Sequence, residues 1–310
     1  MTKPGQTRTL LKDHNLAPKK KFGQNFLVHK HTAEAIVKAG RISDRDTVLE
    51  VGVGLGALTC PLAKSAQHVF GYEIDSGIIR LHNEEDDLPD NVTLVHQDIL
   101  TADFDELHEK CGSDLIIMAN LPYSISNPFI FKLIDNAHLI SRATIMLQKE
   151  VADRLMAKPH SKEYGIPTIL LGVCASVEKI MTLKPHEFHP QPKIDSVVVT
   201  IDFKNKFKIS EDITSFNRPF FNRLVRTAFS QRRKTLLNTL AGGCFFRQDL
   251  ANDKALNKKH TCEAIEAASI SPSIRPECLD INDYISLSIT FEKFQSRLLR
   301  GKCLSTVENG

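Results

Sequence analysis

The sequence lacks the features that would place it in a membrane or an oxidising compartment. Its longest nearly uncharged apolar stretch, GIPTILLGVCASV (165–177), is too short to span a bilayer. The opening residues, MTKPGQTRTLLKDHNL, are basic but carry no continuous apolar core and no small-residue cleavage site, so no secretory signal is expected. No cysteines form a C-x-x-C pair. The seven present (60, 111, 174, 244, 262, 278 and 303) are odd in number and widely spaced, which argues against a disulfide framework and against a zinc site. The nearest approach to a metal pattern, His186 and His189 in KPHEFHPQPK, sits among Pro185, Pro190 and Pro192 and reads as a loop, so no metal is expected. There is no internal repeat. A cytoplasmic protein, free of membrane and metal, is the expectation.

Acidic residues are missing from one particular place. Residues 216–240, FNRPFFNRLVRTAFSQRRKTLLNTL, carry Arg218, Arg223, Arg226, Arg232, Arg233 and Lys234 and no acid. Residues 1–30 carry seven Lys or Arg against the single acid Asp13. The net charge is only +3, so the basic residues are concentrated, not general. Either block alone reads as a solvated face; two blocks at opposite ends of a nearly neutral chain point to a footprint for a polyanion.

With 310 residues, 42% hydrophobic and 25% charged, the chain can build a large domain with a real core and a smaller one beside it. From about 47 to 148, β-branched runs alternate with helical patterns. The predicted strands are TVLEV (47–51), HVFGYE (68–73), VTLVH (92–96), DLIIMA (114–119) and ATIMLQ (143–148), with helix-compatible segments between them. That alternation predicts βαβ crossovers and a mostly parallel sheet covered on both faces, whose ligands bind beyond the carboxyl ends of the strands. A later strand, DSVVVTIDF (195–203), gives way to the charged connector KNKFKISEDITS (204–215). Beyond it Phe221, Leu224, Val225, Ala228 and Phe229 recur at helical spacing, predicting a small helical domain. The last residues read as a frayed tail.

The strand ends collect chemistry-bearing residues. The first runs into EVGVGLGALT, where Gly52, Gly54 and Gly56 open a helix and allow close backbone approach to a ligand. Gly52, Gly54 and Ala57 also satisfy the dinucleotide pattern G-x-G-x-x-A, and a purely structural turn would look the same. Glu73 ends the second strand, where a carboxylate can accept the hydroxyls of a ribose; it or Asp75 could equally cap the next helix. Asp98 follows the third strand and could accept from an adenine amine, or cap a helix. Asn120 to Pro128, NLPYSISNP, ends the fourth. Four such ends in succession converge on one cleft in this architecture.

In combination, KKKFGQNFL, EVGVGLGALT, EID, HQDIL, NLPYSIS, FHPQPKIDSVV, LVRTAFSQRRKTLLNTL and RPECLD resemble the ribosomal RNA adenine dimethyltransferases of the small subunit, over nearly the whole chain. The resemblance implies an α/β fold: a Rossmann-like class I methyltransferase domain with a basic N-terminal arm (1–205) and a small C-terminal α-helical RNA-binding domain with a tail (206–310). It implies S-adenosyl-L-methionine bound through Asn25, Leu27, Gly52, Glu73, Asp98 and Asn120. It further implies catalysis by Asn120, Leu121, Pro122 and Tyr123, stacking of the target base on Tyr123 and Phe188, and RNA contacts from Arg223, Arg226, Arg232, Arg233 and Lys234. The implied product is N6,N6-dimethyladenosine at two adjacent positions near the 3′ end of 16S rRNA, made by a monomer on the assembling small subunit. Val53 stands where the family usually has Pro, and Ser124 where many members have Asn; neither change removes a group the chemistry needs. Competing readings are an NAD-linked oxidoreductase, which gives NLPY no job, a methyltransferase acting on 23S rRNA or DNA adenine, and a non-catalytic assembly factor.

Overall fold

The computed structural model describes His14 and residues 24–203, 216–246 and 253–305; of the Lys and Arg residues of the predicted basic arm all but Lys30 lie outside the described residues, as does the 204–215 connector. The chain divides into two compact units, Met1–Met156 with Cys174–Lys206, and Ala157–Val173 with Phe207–Gly310.

The first unit is built on a seven-stranded sheet. In chain order its elements are β1 (Phe26–Leu27), α1 (Lys30–Ala39), β2 (Thr47–Val51), α2 (Thr59–Ser65), β3 (His68–Glu73), α3 (Ser76–Glu85), β4 (Val92–His96), α4 (Phe104–Cys111), β5 (Leu115–Asn120), α5 (Ser126–Asp135), β6 (Ile140–Gln148) and α6 (Lys149–Leu155). After α7 (Ile166–Gly172), which belongs to the second unit, come β7 (Ser176–Leu183), β8 (Phe188–His189) and β9 (Ser196–Asp202). The strand order is β4-β3-β2-β5-β6-β9-β7. The first five run parallel, while β9 is antiparallel to both its neighbours. The chain therefore winds outward from β2 to β4 and returns on the other side of β2 as β5. That reversal makes the β2/β5 boundary the switch point at which doubly wound sheets open a cleft.

Central strands buried on both faces do not alternate apolar with polar residues. Accordingly Leu115 to Ala119 of β5 are all buried, as are Val48, Leu49 and Val51 of β2. Ile36 and Val37 of α1 and Leu62 of α2 pack in one cluster with Val48, Val69, Ile116 and Met118 of the sheet. Local chemistry sets the helix ends: Asp75 caps α3 by accepting from the Gly77 amide, and Asp103 caps α4 by accepting from Asp105 and Glu106. A separate two-stranded ladder pairs β1 with β8, matching Leu27 to Phe188. One buried group fits this core poorly: Glu50, on β2, is 1% exposed and neither carboxyl oxygen has a hydrogen-bond partner.

The second unit is helical, with α7, α8 (Arg218–Ala228), α9 (Leu236–Leu240), α10 (Lys254–Ala267) and α11 (Ile281–Ser305). Asn217 caps α8 by accepting from Phe220, and Phe221, Leu224, Val225 and Ala228 are its buried face. Phe245, Phe246 and Phe291 pack ring on ring at the centre. Buried Tyr284 donates its hydroxyl to the Pro276 carbonyl at 2.7 Å. Among the described residues, no helix is long and apolar enough to cross a membrane.

Candidate active site

A cleft of about 780 Å³, counted out to its open mouth, lies where the carboxyl ends of β2, β3 and β5 come together. The glycine turn after β2 forms its floor. Gly52 has φ +82°, and a Cβ there would stand 3.2 Å from the carbonyl oxygen of Asn120 on the adjacent strand. Glycine at this position is thus needed twice, for its dihedral and for its missing side chain.

Glu73 closes the β3 side. It is 6% exposed, and its two oxygens accept from the backbone amides of Asp75 at 2.8 Å and Gly54 at 3.0 Å. Burial raises its pKa, and those same amides pull it back down. The capping role that Glu73 could have played is taken by Asp75, which also accepts from Gln24 at 3.0 Å. Asp98 accepts from the Leu100 amide at 2.9 Å and so builds a turn after β4. It caps no helix, because α4 begins later under Asp103.

Asn120 ends β5 at the switch point. Its Nδ2 donates to the Asn25 carbonyl at 3.2 Å. A carbonyl can only accept, so this contact fixes which way the amide faces and leaves Oδ1 as the atom available to accept. The chain then turns through Leu121 and Pro122. The Tyr123 hydroxyl is 2.9 Å from the Ser196 hydroxyl on β9, and burial raises the phenol pKa.

Of the residues singled out in the sequence, Asn25, Gly52, Gly54, Glu73, Asp98, Asn120, Leu121, Pro122 and Ser124 line this cleft. Leu27, Tyr123 and Phe188 are not among its lining residues. Leu27 and Phe188 face each other across the β1–β8 ladder and pack into the core, with Phe188 3% exposed. The sequence reading missed Gln24, Phe26 and Ile78 on the cleft wall and Ser196 behind Tyr123. Gln24 and Phe26 flank Asn25 inside GQNFL and could have been taken with it; Ser196 lies 73 residues from Tyr123 and carries no local signal.

The five basic residues Arg223, Arg226, Arg232, Arg233 and Lys234 are all exposed. Arg223 donates to the Gly243 carbonyl at 2.7 Å and lies 4.8 Å over the Phe245 ring. Arg232 donates to the Tyr164 carbonyl at 2.9 Å. Arg223 and Arg226 border a polar cleft with Asn222, Ser230 and Asn238.

Residues 15–274 match the family described as ribosomal RNA adenine dimethylase. The chain belongs to that family. It is 59% identical to the ribosomal RNA small subunit methyltransferase A of Desulfotalea psychrophila, across 96% of this chain and 99% of that protein. To the protein of the same name from Desulforapulum autotrophicum it is 39% identical, across 93% and 96%. Among solved structures, a dimethyladenosine transferase from Plasmodium falciparum superimposes with a TM-score of 0.69 at 27% identity, covering 87% of this chain and 98% of that one. The 23S rRNA methyltransferase ErmE, at 20% identity and a TM-score of 0.60 over 86% and 100%, shares the fold. A ribosomal RNA adenine dimethylase is a methyltransferase and needs a methyl donor. Among the described residues no group of His, Cys, Asp or Glu is arranged to hold a metal.

Proposed function

We propose that this protein transfers methyl groups from S-adenosyl-L-methionine to the N6 amines of adenosines in small-subunit ribosomal RNA, placing two on each. The observation that carries this reading is the fixed amide of Asn120 at the switch point, which offers an acceptor oxygen where the cleft opens.

The cleft suits the donor. Its described lining holds the carboxylates Glu73 and Asp98 and no Lys or Arg, a charge balance that favours a sulfonium cation over a pyrophosphate. Glu73 stands where a ribose would present its hydroxyls, Asp98 where an adenine amine would, and Phe26, Ile78 and Ile99 supply apolar walls for the base. The Gly52 turn, Asn25 and the Leu27 backbone complete the set of contacts we assign to it. When bound, S-adenosylmethionine supplies an electrophilic methyl group.

The chain's own task is to shape and hold the amine. The exocyclic nitrogen of adenine is a poor nucleophile because its lone pair is delocalised into the ring. Asn120 Oδ1 and the Leu121 carbonyl accept its two hydrogens, drawing the nitrogen toward tetrahedral geometry with its lone pair exposed. Pro122 stiffens the turn that presents the Leu121 carbonyl. Tyr123, steadied by Ser196, offers its ring to the flipped base. Catalysis on this account is mostly positioning, and the nitrogen sheds its proton to water afterwards. Phe188, assigned to stacking by the resemblance, is 3% exposed; to stack it would have to turn out of the core it shares with Leu27. Arg223, Arg226, Arg232, Arg233 and Lys234 are assigned to RNA phosphates, on the assembling small subunit and with the protein acting as a monomer.

Labelled methyl transfer to small subunits lacking the modification, followed by mapping of the labelled base, tests the reading. Label in paired adenosines of the small-subunit RNA is the expected result. Label confined to large-subunit RNA or to DNA would overturn it.

A further inference from the structure

The acidic stretch EEDDLPD (84–90) has no part in the account so far, yet it reaches the glycine turn through one buried side chain. His82, on α3, has a side chain only 1% exposed. Its Nδ1 lies 2.6 Å from Asp87 Oδ1, and its Nε2 lies 2.8 Å from the Gly54 carbonyl oxygen. Both partners are acceptors. A neutral imidazole has a single N–H, so either tautomer would set a lone pair against one of them; only the imidazolium donates to both. Asp87 is half exposed, so water solvates its carboxylate and leaves it available as the counter-charge.

The other end of the contact is the turn that floors the donor cleft. Gly54 has φ +54°, and its amide already donates to Glu73 Oε2 at 3.0 Å. Its carbonyl is held by His82. One residue is therefore gripped on both sides, by a cleft carboxylate through its N–H and by a buried imidazole through its C=O. The ring also packs on the turn: a Cβ at Gly56 would meet His82 Cε1 at 3.7 Å, Leu88 at 3.8 Å and Cys60 Sγ at 3.9 Å.

We infer that His82, protonated and held by Asp87, is a positioning residue for the donor cleft, setting the Gly54 backbone that Glu73 grips from the other side. This rests on the assignment of S-adenosylmethionine to that cleft. Losing either of its two contacts frees the turn, so donor affinity falls when the ring or its carboxylate partner is replaced by a side chain that cannot make them. Among the described residues, Asp87 faces His82 from the turn after α3, and Glu84, Glu85 and Asp86 end its own helix and cap, with Glu85 paired to His14 at 3.1 Å. The Cys60 thiol of α2 approaches the same Gly56 position as the ring, and Glu73 reaches it through Gly54.

The test combines nuclear magnetic resonance of the ligand-free full chain with equilibrium binding of S-adenosylmethionine, on the wild type and three variants. The His82 ring nitrogens of the wild type are expected to report both N–H groups, and the Gly54 amide signal to shift in a variant that loses the contact to the Gly54 carbonyl. His82→Leu, which loses it, should weaken binding by on the order of tenfold. His82→Gln keeps a donor toward the Gly54 carbonyl. Asp87→Asn can donate to Nδ1 of a neutral ring that still holds Gly54 through Nε2. Both should keep the Gly54 signal near its wild-type position and restore most of the binding, and they carry the test if His82→Leu does not fold. A merely structural His82 would lower thermal stability in these variants while leaving the Gly54 signal and the binding unchanged, and that result overturns the inference. If the Gly54 signal moves in His82→Leu but no form binds S-adenosylmethionine, the donor assignment falls and the clamp on Gly54 stands.

Discussion

Asn120 Nδ2 donates to the backbone carbonyl of Asn25 at 3.2 Å, across 95 residues of chain. The contact commits the amide nitrogen as a donor and leaves Oδ1 as the acceptor that the proposed mechanism uses. Asn120→Ala is expected to lower methyl transfer by at least about a hundredfold with the far-ultraviolet circular dichroism and melting temperature little changed. Asn120→Asp keeps an oxygen but sets a carboxylate against the Asn25 carbonyl, so it should fail as a substitute. Steady-state kinetics on unmethylated small subunits check both.

Gly52→Ala tests the floor of the cleft. The new Cβ would combine a φ of +82° with a 3.2 Å approach to the Asn120 oxygen. A stability loss of about 2 kcal/mol is expected, with weaker donor binding and slower transfer together, since the displaced strand end carries Asn120. Chemical denaturation and binding of S-adenosylmethionine measure the two effects separately.

Glu50 ties stability to pH. Burial pushes its carboxyl from 4.5 up to about 8, with the Glu73 charge adding to the rise and the nearby Thr59 hydroxyl offsetting part of it. Between those values the folded state holds a proton that the unfolded state has released. Its contribution is therefore complete below about pH 4.5 and is lost as pH climbs toward about 8. The cost at neutral pH is on the order of 3 kcal/mol. Glu50→Gln should raise the unfolding free energy at neutral pH and flatten its fall through this window, as read by urea titrations at several pH values. An unchanged slope would show that Glu50 keeps its charge when folded. The raised Glu73 acts in the same direction.

The Arg-rich block should split on mutation. Arg233→Glu with Lys234→Glu, both at exposed positions, should weaken RNA binding and lower the slope of log affinity against log salt by about 1 to 2, at unchanged melting temperature. Arg232→Ala should in addition cost about 1 kcal/mol of stability, because it removes a hydrogen bond to the Tyr164 carbonyl. Filter binding over a salt series and thermal unfolding distinguish the two outcomes.

The parallel half of the sheet was legible because its strands are short, β-branched and separated by helical patterns; 47–51, 68–73 and 92–96 appear with those bounds. β7 was not. Its residues, SVEKIMTL, lie on an edge strand with a single buried side chain among them, so they carry no apolar alternation to read. The β1–β8 pair was also invisible, since each strand is two residues long and its partner lies about 160 positions away. The cleft residues stood out at strand ends, where local sequence and topology agree. His82 and Ser196 did not, because their roles depend on contacts 28 and 73 residues distant. Glu50 lay within a correctly read strand, but periodicity does not tell that a glutamate there is sealed from water. The apolar stretch 165–177 begins in the helix α7 of the second unit and ends in β7 of the first, a division its composition does not mark.

The insertion of β9 between β6 and β7 has a consequence in time. Among the described residues β7 hydrogen-bonds to no strand but β9, and β9 is the second neighbour of β6. A chain made from its N-terminus must therefore finish most of the sheet with β6, nine residues of largely buried character, presenting an open edge. That edge is a template for pairing with another chain until residues 196–202 emerge to cover it. A chain cut before Ser196 keeps that edge of β6 uncovered by β9.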